Sequence, residues 1–153
     1  MADDKTWDFK TQLNQAEKHE LEFTKIYKKH KLTKSADRRW DFNTPRGLRV
    51  ELKCDTYDAT KTPYFFLERY SDMYKKSPGG IWQSVGHDVD IFIYWFVNSG
   101  VYYEFRNLQD LIKVLEKLTE NLYMIGIRNR GYITGGYKLT RDLLHPYFTR
   151  VTY

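Results

Sequence analysis

The stretch from Trp40 to Tyr57, WDFNTPRGLRVELKCDTY, limits the possible folds of this chain more than any other segment. Asn43 to Gly47 supplies turn-forming residues between two runs that can pair as antiparallel strands. In the second run, Glu51 and Lys53 are two positions apart and therefore share one face of a strand. The opposite face of that strand belongs to Val50, Leu52 and Cys54. The turn is predicted to bring Asp41, in the first run, close to Glu51.

Two carboxylates and a lysine in this arrangement can form a metal-dependent phosphodiesterase site. Mg²⁺ prefers oxygen ligands and usually retains several waters, so the carboxylates of Asp41 and Glu51 suffice to hold it. A bound divalent ion polarises a phosphoryl oxygen and lowers the pKa of a water. An ammonium such as that of Lys53 can orient this water or neutralise the developing negative charge.

An acid followed by any residue and a lysine is a common triplet, and about two are expected by chance in a chain of this composition. Three occur here, at Asp3–Lys5, Asp8–Lys10 and Glu51–Lys53. The first two lie in a polar leader without a strand pattern or an upstream acid. Only the third triplet has the structural context of a site.

These residues resemble the PD-(D/E)xK nuclease superfamily, in which a helix with a glutamate precedes a strand with Asp and a strand with (Glu/Asp)-x-Lys. Asp41, Glu51 and Lys53 match the strand positions. Glu20 resembles the helical glutamate, because it shares a helical stripe with Leu13, Ala16, Phe23 and Tyr27. The resemblance covers residues 12–97 and departs from the family pattern at two points. No proline precedes the aspartate, and no Gln-x-x-x-Tyr helix follows the lysine.

The resemblance implies an α/β (α+β) fold with a restriction-endonuclease-like core, in which helices flank a mixed central β-sheet. Residues 1–153 would form a single nuclease domain, with residues 1–10 flexible. The implied activity is that of a Mg²⁺-dependent deoxyribonuclease, either endonuclease or exonuclease, with Mn²⁺ as a substitute. Asp41, Glu51 and Glu20 would bind the metal, and Lys53 would complete the catalytic set. DNA recombination, repair and phage DNA processing are the implied roles, and structure-directed cutting is favoured.

Composition supports one folded domain with an anionic partner. The chain is 41% hydrophobic and 17% aromatic, which argues against disorder. Its net charge is +5, and cations are concentrated before Asp41. A solvated, lysine-rich helix face is an equally good explanation of this concentration alone. Together with the acids that follow, it predicts DNA binding by Lys28, Lys29, Lys31, Arg38 and Arg39. A homodimer is an open option.

Cysteine usage and apolar runs indicate where the chain works. Cys54 is the only cysteine, which excludes an intrachain disulfide and a cysteine-based zinc site. The sequence shows no signal peptide, and its longest apolar stretch, Ile91–Val97, fits a buried strand and not a membrane span. A cytoplasmic location without membrane contact is expected, in the host cytoplasm if the chain is phage-encoded.

Hydrophobic periodicity predicts the remaining elements. Asn107 is the expected N-cap of an amphipathic helix over Leu108–Glu120, and Asn98–Gly100 is the expected turn of a hairpin. A first helix is predicted over Thr11–His30, and a loop over Ser77–Gly80. The predicted strands are Arg38–Asn43, Leu48–Tyr57, Tyr64–Tyr70, Asp90–Asn98, Val101–Phe105 and Tyr123–Ile127.

Three further residues are weaker candidates for the site. Glu68 lies in an apolar strand and could approach the metal, although a salt bridge with Arg69 would also explain it. His87 precedes the strongest strand beside Asp88 and Asp90, where a capped turn is the alternative to metal or proton chemistry. Gln83 follows a glycine pair that would let a nucleotide approach.

Two functions of other classes compete with hydrolysis. A noncatalytic nucleic-acid-binding module would retain the nuclease fold and the basic helix but would never cleave. A compact protein-binding domain could use its aromatic strands as an interface. Neither alternative accounts for the aligned acids and lysine.

Overall fold

The computed structural model describes the backbone of residues 9–153 and the side chains from Asn14 onward. The predicted flexibility of residues 1–10 and the two leader triplets therefore fall largely outside the described residues. The fold is a mixture of α-helices and β-strands with a mixed central sheet, as predicted. The helices are α1 (Phe9–Ile26), α2 (Gly80–Gly86) and α3 (Leu108–Thr119), with a 3₁₀ helix at Arg141–Tyr147. The strands are β1 (Thr33–Lys34), β2 (Phe42–Asn43), β3 (Arg49–Asp55), β4 (Tyr64–Asp72), β5 (Ser77–Pro78), β6 (Ile91–Phe96), β7 (Val101–Phe105), β8 (Ile125–Asn129), β9 (Tyr132–Thr140) and β10 (Phe148–Thr152).

The central sheet has six strands in the order β1-β2-β3-β6-β7-β10. Its neighbours are antiparallel except for β3 and β6, which are parallel. The predicted turn joins β2 to β3, and Phe42 pairs with Val50 across it. Gly47 takes a φ of 84° in this turn, a backbone conformation that glycine adopts without steric cost. The turn fixes the register that places Asp41 beside β3.

Helix α1 covers one face of the central sheet. Phe23 and Tyr27 are buried there against Ile93, Trp95 and Tyr102. Val50 belongs to the same cluster, and Leu52 and Cys54 pack against it. The alternation predicted for β3 is therefore confirmed: its apolar residues face α1, and the alternate residues face away from it.

A second sheet covers the opposite face together with α2 and α3. It has four strands in the order β5-β4-β9-β8. The ring of Phe65 on β4 lies 4.9 Å from those of Tyr94 and Tyr103 on the central sheet. Leu111 and Leu115 of α3 are fully buried in the same core. The fold thus has three layers, and Glu51 and Lys53 lie between the two sheets.

Several predicted boundaries were wrong. The first helix ends at Ile26, four residues earlier than His30, and the strand predicted from Arg38 begins only at Phe42. The predicted loop at Ser77–Gly80 contains β5 and the first residue of α2. The 3₁₀ helix, α2, β1, β9 and β10 were not predicted at all.

The capping role predicted for Asn107 was also wrong. Asn107 precedes α3 but has a φ of 53°, and its side chain makes no capping hydrogen bond. Capping requires an extended residue whose side chain reaches the amides of the next turn, and the left-handed conformation directs it elsewhere.

Across residues 9–153, none of the helices combines the length and apolar character that crossing a bilayer requires.

Candidate active site

Asp41 lies at the edge of β3, where its side chain takes the place of a strand partner. Its amide donates a hydrogen bond to the carbonyl of Val50, with N and O 3.0 Å apart. Its carboxylate Oδ2 accepts a hydrogen bond from the amide of Leu52, at 2.8 Å. Because β2 begins only at Phe42, the edge of β3 beyond Val50 is open to this carboxylate. Asp41 therefore lies between the two faces of the sheet and is accessible from both.

Glu51 approaches Asp41 from the face that lies opposite α1. Burial raises the pKa of Glu51 to about 9, with the charge of Asp41 and a hydrogen bond to it as the next causes. The charges of Glu20 and Glu68 raise the pKa further. A carboxyl group that several other carboxylates influence in this way is close to all of them.

Glu20 approaches Asp41 from α1, on the other face. Burial raises the pKa of Glu20 to about 7, and the charge of Asp41 and a hydrogen bond to it contribute to the increase. The ammonium of Lys34 lies 3.8 Å from the carboxylate and opposes this shift. Only 21% of the Glu20 side chain is exposed, which confirms that this glutamate points inward.

Asp41 is the centre of this carboxylate cluster, which we define as Glu20, Asp41 and Glu51. Burial raises the pKa of Asp41, although hydrogen bonds from the Leu52 amide, Glu51 and Glu20 oppose that effect. Asp41 accepts from the Leu52 amide and, when the glutamates are protonated, can accept from Glu20 and Glu51 as well. The two glutamates approach Asp41 from opposite faces of the sheet, across its edge.

Lys53 lies two residues beyond Glu51 on the same face of β3. It shares the walls of a small cavity of about 90 Å³ with Glu51 and Glu68. It also borders a shallow depression on the α1 side that includes Glu20. None of the ion pairs found among the described side chains includes Lys53. Lys53 therefore lines the same small cavity as Glu51, and no acid among the described side chains holds its ammonium.

Glu68 reaches the same cavity from the second sheet. Its carboxylate Oε2 accepts a hydrogen bond from the amide of Gly80 at 3.2 Å. The alternative of a salt bridge with Arg69 was wrong, since that guanidinium stacks over the rings of Tyr70 and Trp82. Glu68 was expected on a neighbouring strand, but β4 belongs to the other sheet.

Gln83 and His87 have different surroundings. Gln83 is an exposed residue of α2 that borders the small cavity. The Nδ1 of His87 lies 3.1 Å from the carbonyl oxygen of Arg39, and its own carbonyl accepts from Arg49. Asp90 accepts a hydrogen bond from the Arg49 amide at 2.8 Å. The structure does not bring His87 to the carboxylate cluster, and this segment instead anchors the start of β3.

The predicted DNA-binding cations are all exposed. Lys29 bonds to the buried carboxylate of Glu104 at 2.9 Å, and Arg39 pairs with Asp37 at 2.7 Å. The other three of the five predicted DNA-binding cations are Lys28, Lys31 and Arg38.

The carboxylate cluster is the part of the structure that could receive a hard divalent cation. Among the described residues, however, no three or more His, Cys, Asp or Glu side chains are arranged so that they could hold a metal ion together. Mg²⁺ does not require such an arrangement, because one or two carboxylates and several waters usually suffice. The cluster offers only carboxylate oxygens, which are the ligand type that Mg²⁺ prefers. The chemistry of the donors therefore fits a hard divalent ion.

Two supporting features were not predicted from the sequence. The first is Lys34, whose ammonium pairs with Glu20. Gly79 and Gly80 pack so closely on Glu68 that a Cβ on Gly80 would lie 2.6 Å from the Glu68 carbonyl oxygen. The glycine pair itself was the available signal for such a close approach.

No protein-family model matches this chain, and no curated protein shows significant similarity to its sequence. The relationship to the PD-(D/E)xK superfamily therefore remains a prediction that depends on the residues alone.

Proposed function

We propose that this protein is a metal-dependent deoxyribonuclease that hydrolyses DNA phosphodiester bonds. The observation that supports this function best is the approach of two carboxyl groups with raised pKa values, Glu20 and Glu51, to Asp41, with Lys53 on the same strand face as Glu51. Strongly perturbed ionisable groups that lie together are typical of functional sites. A structural core has no need for so many acids beside one another, since each raises the energy of its neighbours.

In the proposed mechanism, Asp41, Glu51 and Glu20 would hold the ion through their carboxylate oxygens once the glutamates had lost their protons. A bound Mg²⁺ or Mn²⁺ would supply positive charge for the phosphoryl oxygens and lower the pKa of a water. Lys53 orients the attacking water or neutralises the negative charge that develops on the phosphate. Glu68 and Gln83 border the cavity and are positioning residues.

DNA is the proposed substrate, on the basis of the net charge of +5 and the exposed cations that precede Asp41. Several finer points remain predictions. They are the choice between endonuclease and exonuclease activity, the role in recombination, repair or phage DNA processing, the cytoplasmic location and a homodimer. The competing function is a noncatalytic nucleic-acid-binding module.

Cleavage assays on defined DNA test the proposal. The full chain is incubated with labelled linear, nicked, single-stranded and branched DNA in Mg²⁺, in Mn²⁺ and in chelator. We expect cleavage only with metal, and a rate at least about a hundredfold lower for Lys53→Ala because a charge-stabilising group is lost. DNA affinity measured in chelator should remain close to that of the unmodified protein.

The matched control is Lys117→Ala, which removes an exposed lysine from the last turn of α3. It should cleave at the normal rate. Full activity in Lys53→Ala would remove this lysine from the mechanism. Binding without cleavage under every metal condition would favour the noncatalytic module instead.

A further inference from the structure

A second, larger groove opens beside the carboxylate cluster. It encloses about 520 Å³, and Lys53 lines both this groove and the small cavity that holds Glu51. The groove, which we call the tyrosine groove, runs between the end of β3, the start of β4 and strand β8. Its exposed lining residues are Thr56, Tyr57, Tyr64, Ile125, Ile127 and Lys138. Lys53 therefore connects the proposed reaction centre to an adjoining surface.

The walls of the tyrosine groove expose large apolar groups that a monomeric domain would usually bury. Tyr57 is 73% exposed, and Tyr64 and Ile127 are 40% and 42% exposed. Isolated exposed apolar residues are common, but a group of them around one concave surface indicates a binding site. The volume of the groove lies within the range of roughly 300–1,000 Å³ that is typical of ligand sites.

Hydrogen bonds hold the floor of the groove in place. Asp55 accepts a hydrogen bond from the amide of Tyr57 at 2.8 Å. Its other carboxylate oxygen accepts from the hydroxyl of Tyr94, which in turn accepts from the amide of Phe66 at 3.1 Å. Both oxygens of Asp55, the one acidic residue among those that line the groove, are thus engaged inside the protein. The segment that carries Tyr57 is positioned before any ligand arrives.

The charges of the groove favour an anionic ligand. Lys53 and Lys138 lie among its lining residues, with Lys138 opposite Phe66 in the β4–β9 ladder. Cations for phosphates and tyrosine rings for the faces of bases are the combination by which proteins bind single-stranded nucleic acid. A duplex keeps its base faces stacked inside the helix and offers none of them to a tyrosine.

We infer that the tyrosine groove binds an unpaired DNA strand that continues into the carboxylate cluster. The inference rests on the proposed function, and it narrows the substrate to DNA that has a single-stranded segment next to the scissile phosphate. Tyr57 and Tyr64 would stack on unpaired bases, and Lys138 would contact a phosphate of the unpaired strand. Lys53 would lie at the scissile phosphate, where it acts in the reaction. The groove thus selects the substrate, and the carboxylate cluster performs the reaction.

Fluorescence anisotropy in chelator separates this binding from cleavage. The probes are a blunt duplex, the same duplex with a single-stranded 3′ or 5′ overhang, and an overhang of the same length made of abasic residues. The unmodified protein should bind one of the natural overhangs at least about fivefold more tightly than the blunt and abasic probes. Tyr57→Ala and Tyr64→Ala should each reduce that preference without changing affinity for the blunt duplex.

Tyr74→Ala is the matched control, because Tyr74 is 81% exposed but does not line the groove. Thermal unfolding of each variant checks that the fold is retained. Equal affinity for overhang and blunt probes, or an overhang preference that both tyrosine variants retain, would overturn the inference. If metal-dependent cleavage is observed in that case, the proposed hydrolysis is retained and only the binding of an unpaired strand by the tyrosine groove is lost. A tyrosine-dependent preference without any cleavage would leave the groove as a binding site and remove the nuclease.

Discussion

Asp41 is approached by glutamates from both faces of the central sheet, Glu20 from α1 and Glu51 from β3. The alternation in β3 predicted correctly that Glu51 and Lys53 share one face. It could not predict that Glu20 would arrive from the other face, because residues on a helix and a strand are related only through packing. The open edge of β3 explains how Glu20 can approach Asp41 from the other face, since Asp41 occupies this edge and is accessible from both sides.

Replacement of Asp41 tests its role as a ligand. Asp41→Asn keeps the size of the side chain and an oxygen that can accept from Leu52, but it loses the charge that a hard cation requires. The Mg²⁺ concentration for half-maximal cleavage should rise by at least about tenfold, measured in a metal titration of the cleavage rate. Asp142→Asn, which alters an exposed acid in the 3₁₀ helix, should leave the titration unchanged. An unshifted curve for Asp41→Asn would contradict the assignment.

The raised pKa of Glu51 predicts how stability depends on pH when no metal is bound. Its pKa is about 9 in the folded protein against an ordinary value of 4.5, so above pH 4.5 the unfolded chain releases a proton that the folded protein keeps. The free energy of unfolding should therefore fall as pH rises from 4.5 toward 9. Thermal melting in chelator should show a lower melting temperature at pH 9 than at pH 5.5.

Glu51→Gln should remove much of this decrease, because its amide has no proton to lose and still donates to Asp41. Glu116→Gln is the control, since Glu116 is exposed on α3. Parallel profiles of melting temperature against pH for the unmodified protein and Glu51→Gln would show that the pKa of Glu51 is not raised in the folded protein.

Individual elements differ in how well their sequences specified them. Helix α3 and the β6–β7 hairpin have strong periodicity and a clear turn, and they formed close to the predicted bounds. The strand predicted from Arg38 was shortened by local bonds. Asp37 accepts from both the backbone and the side chain of Arg39, and its own amide donates to Ser35. Such short-range side-chain bonds compete with strand formation.

Helix α2 was missed because it is short and begins with glycine. Its sequence, GIWQSVG, has a weak intrinsic tendency to form a helix. The helix forms because Ile81 and Trp82 are buried in the core and because Gly80 fits against Glu68. These contacts connect residues that are far apart in the chain, so local sequence patterns did not contain them.

Gly80→Ala tests the close approach between α2 and β4. Gly80 has a φ of 51°, and an added Cβ would lie 2.6 Å from the Glu68 carbonyl oxygen. The left-handed conformation alone costs a residue with a Cβ about 1–2 kcal/mol, and the backbone clash adds to this. Chemical denaturation should show a loss of at least about 1 kcal/mol in the free energy of unfolding.

Gly86→Ala is the matched control in the same helix, because a Cβ there would meet nothing within 4 Å. Its stability should stay within about 0.5 kcal/mol of the unmodified protein or rise slightly. Equal stability of the two variants would show that the approach at Gly80 is not tight.

The residues of the candidate site come from a helix and from strands of both sheets. The sequence predicted several of these elements but not which of them lie next to one another. The strand pattern predicted β4 but not that it pairs with β9, about seventy residues later, in a separate sheet. Strand propensity identifies a strand but not its neighbour, so the sequence alone did not show that the strand of Glu68 belongs to a second sheet. The actual arrangement brings acids from α1, the edge of β3 and the second sheet to one place.

If Glu20, Asp41 and Glu51 form one cation site, the protein should bind Mn²⁺ and release protons as it does so. Calorimetric titration with Mn²⁺ at pH 7, in buffers of different ionisation enthalpy, measures both the binding and the proton release. Because the pKa values of Glu20 and Glu51 are about 7 and about 9, the metal-free cluster is protonated at this pH. We predict saturable binding that releases about one proton or more per ion and that Asp41→Asn weakens strongly. The absence of saturable binding, or binding without proton release that Asp41→Asn leaves unchanged, would contradict the account.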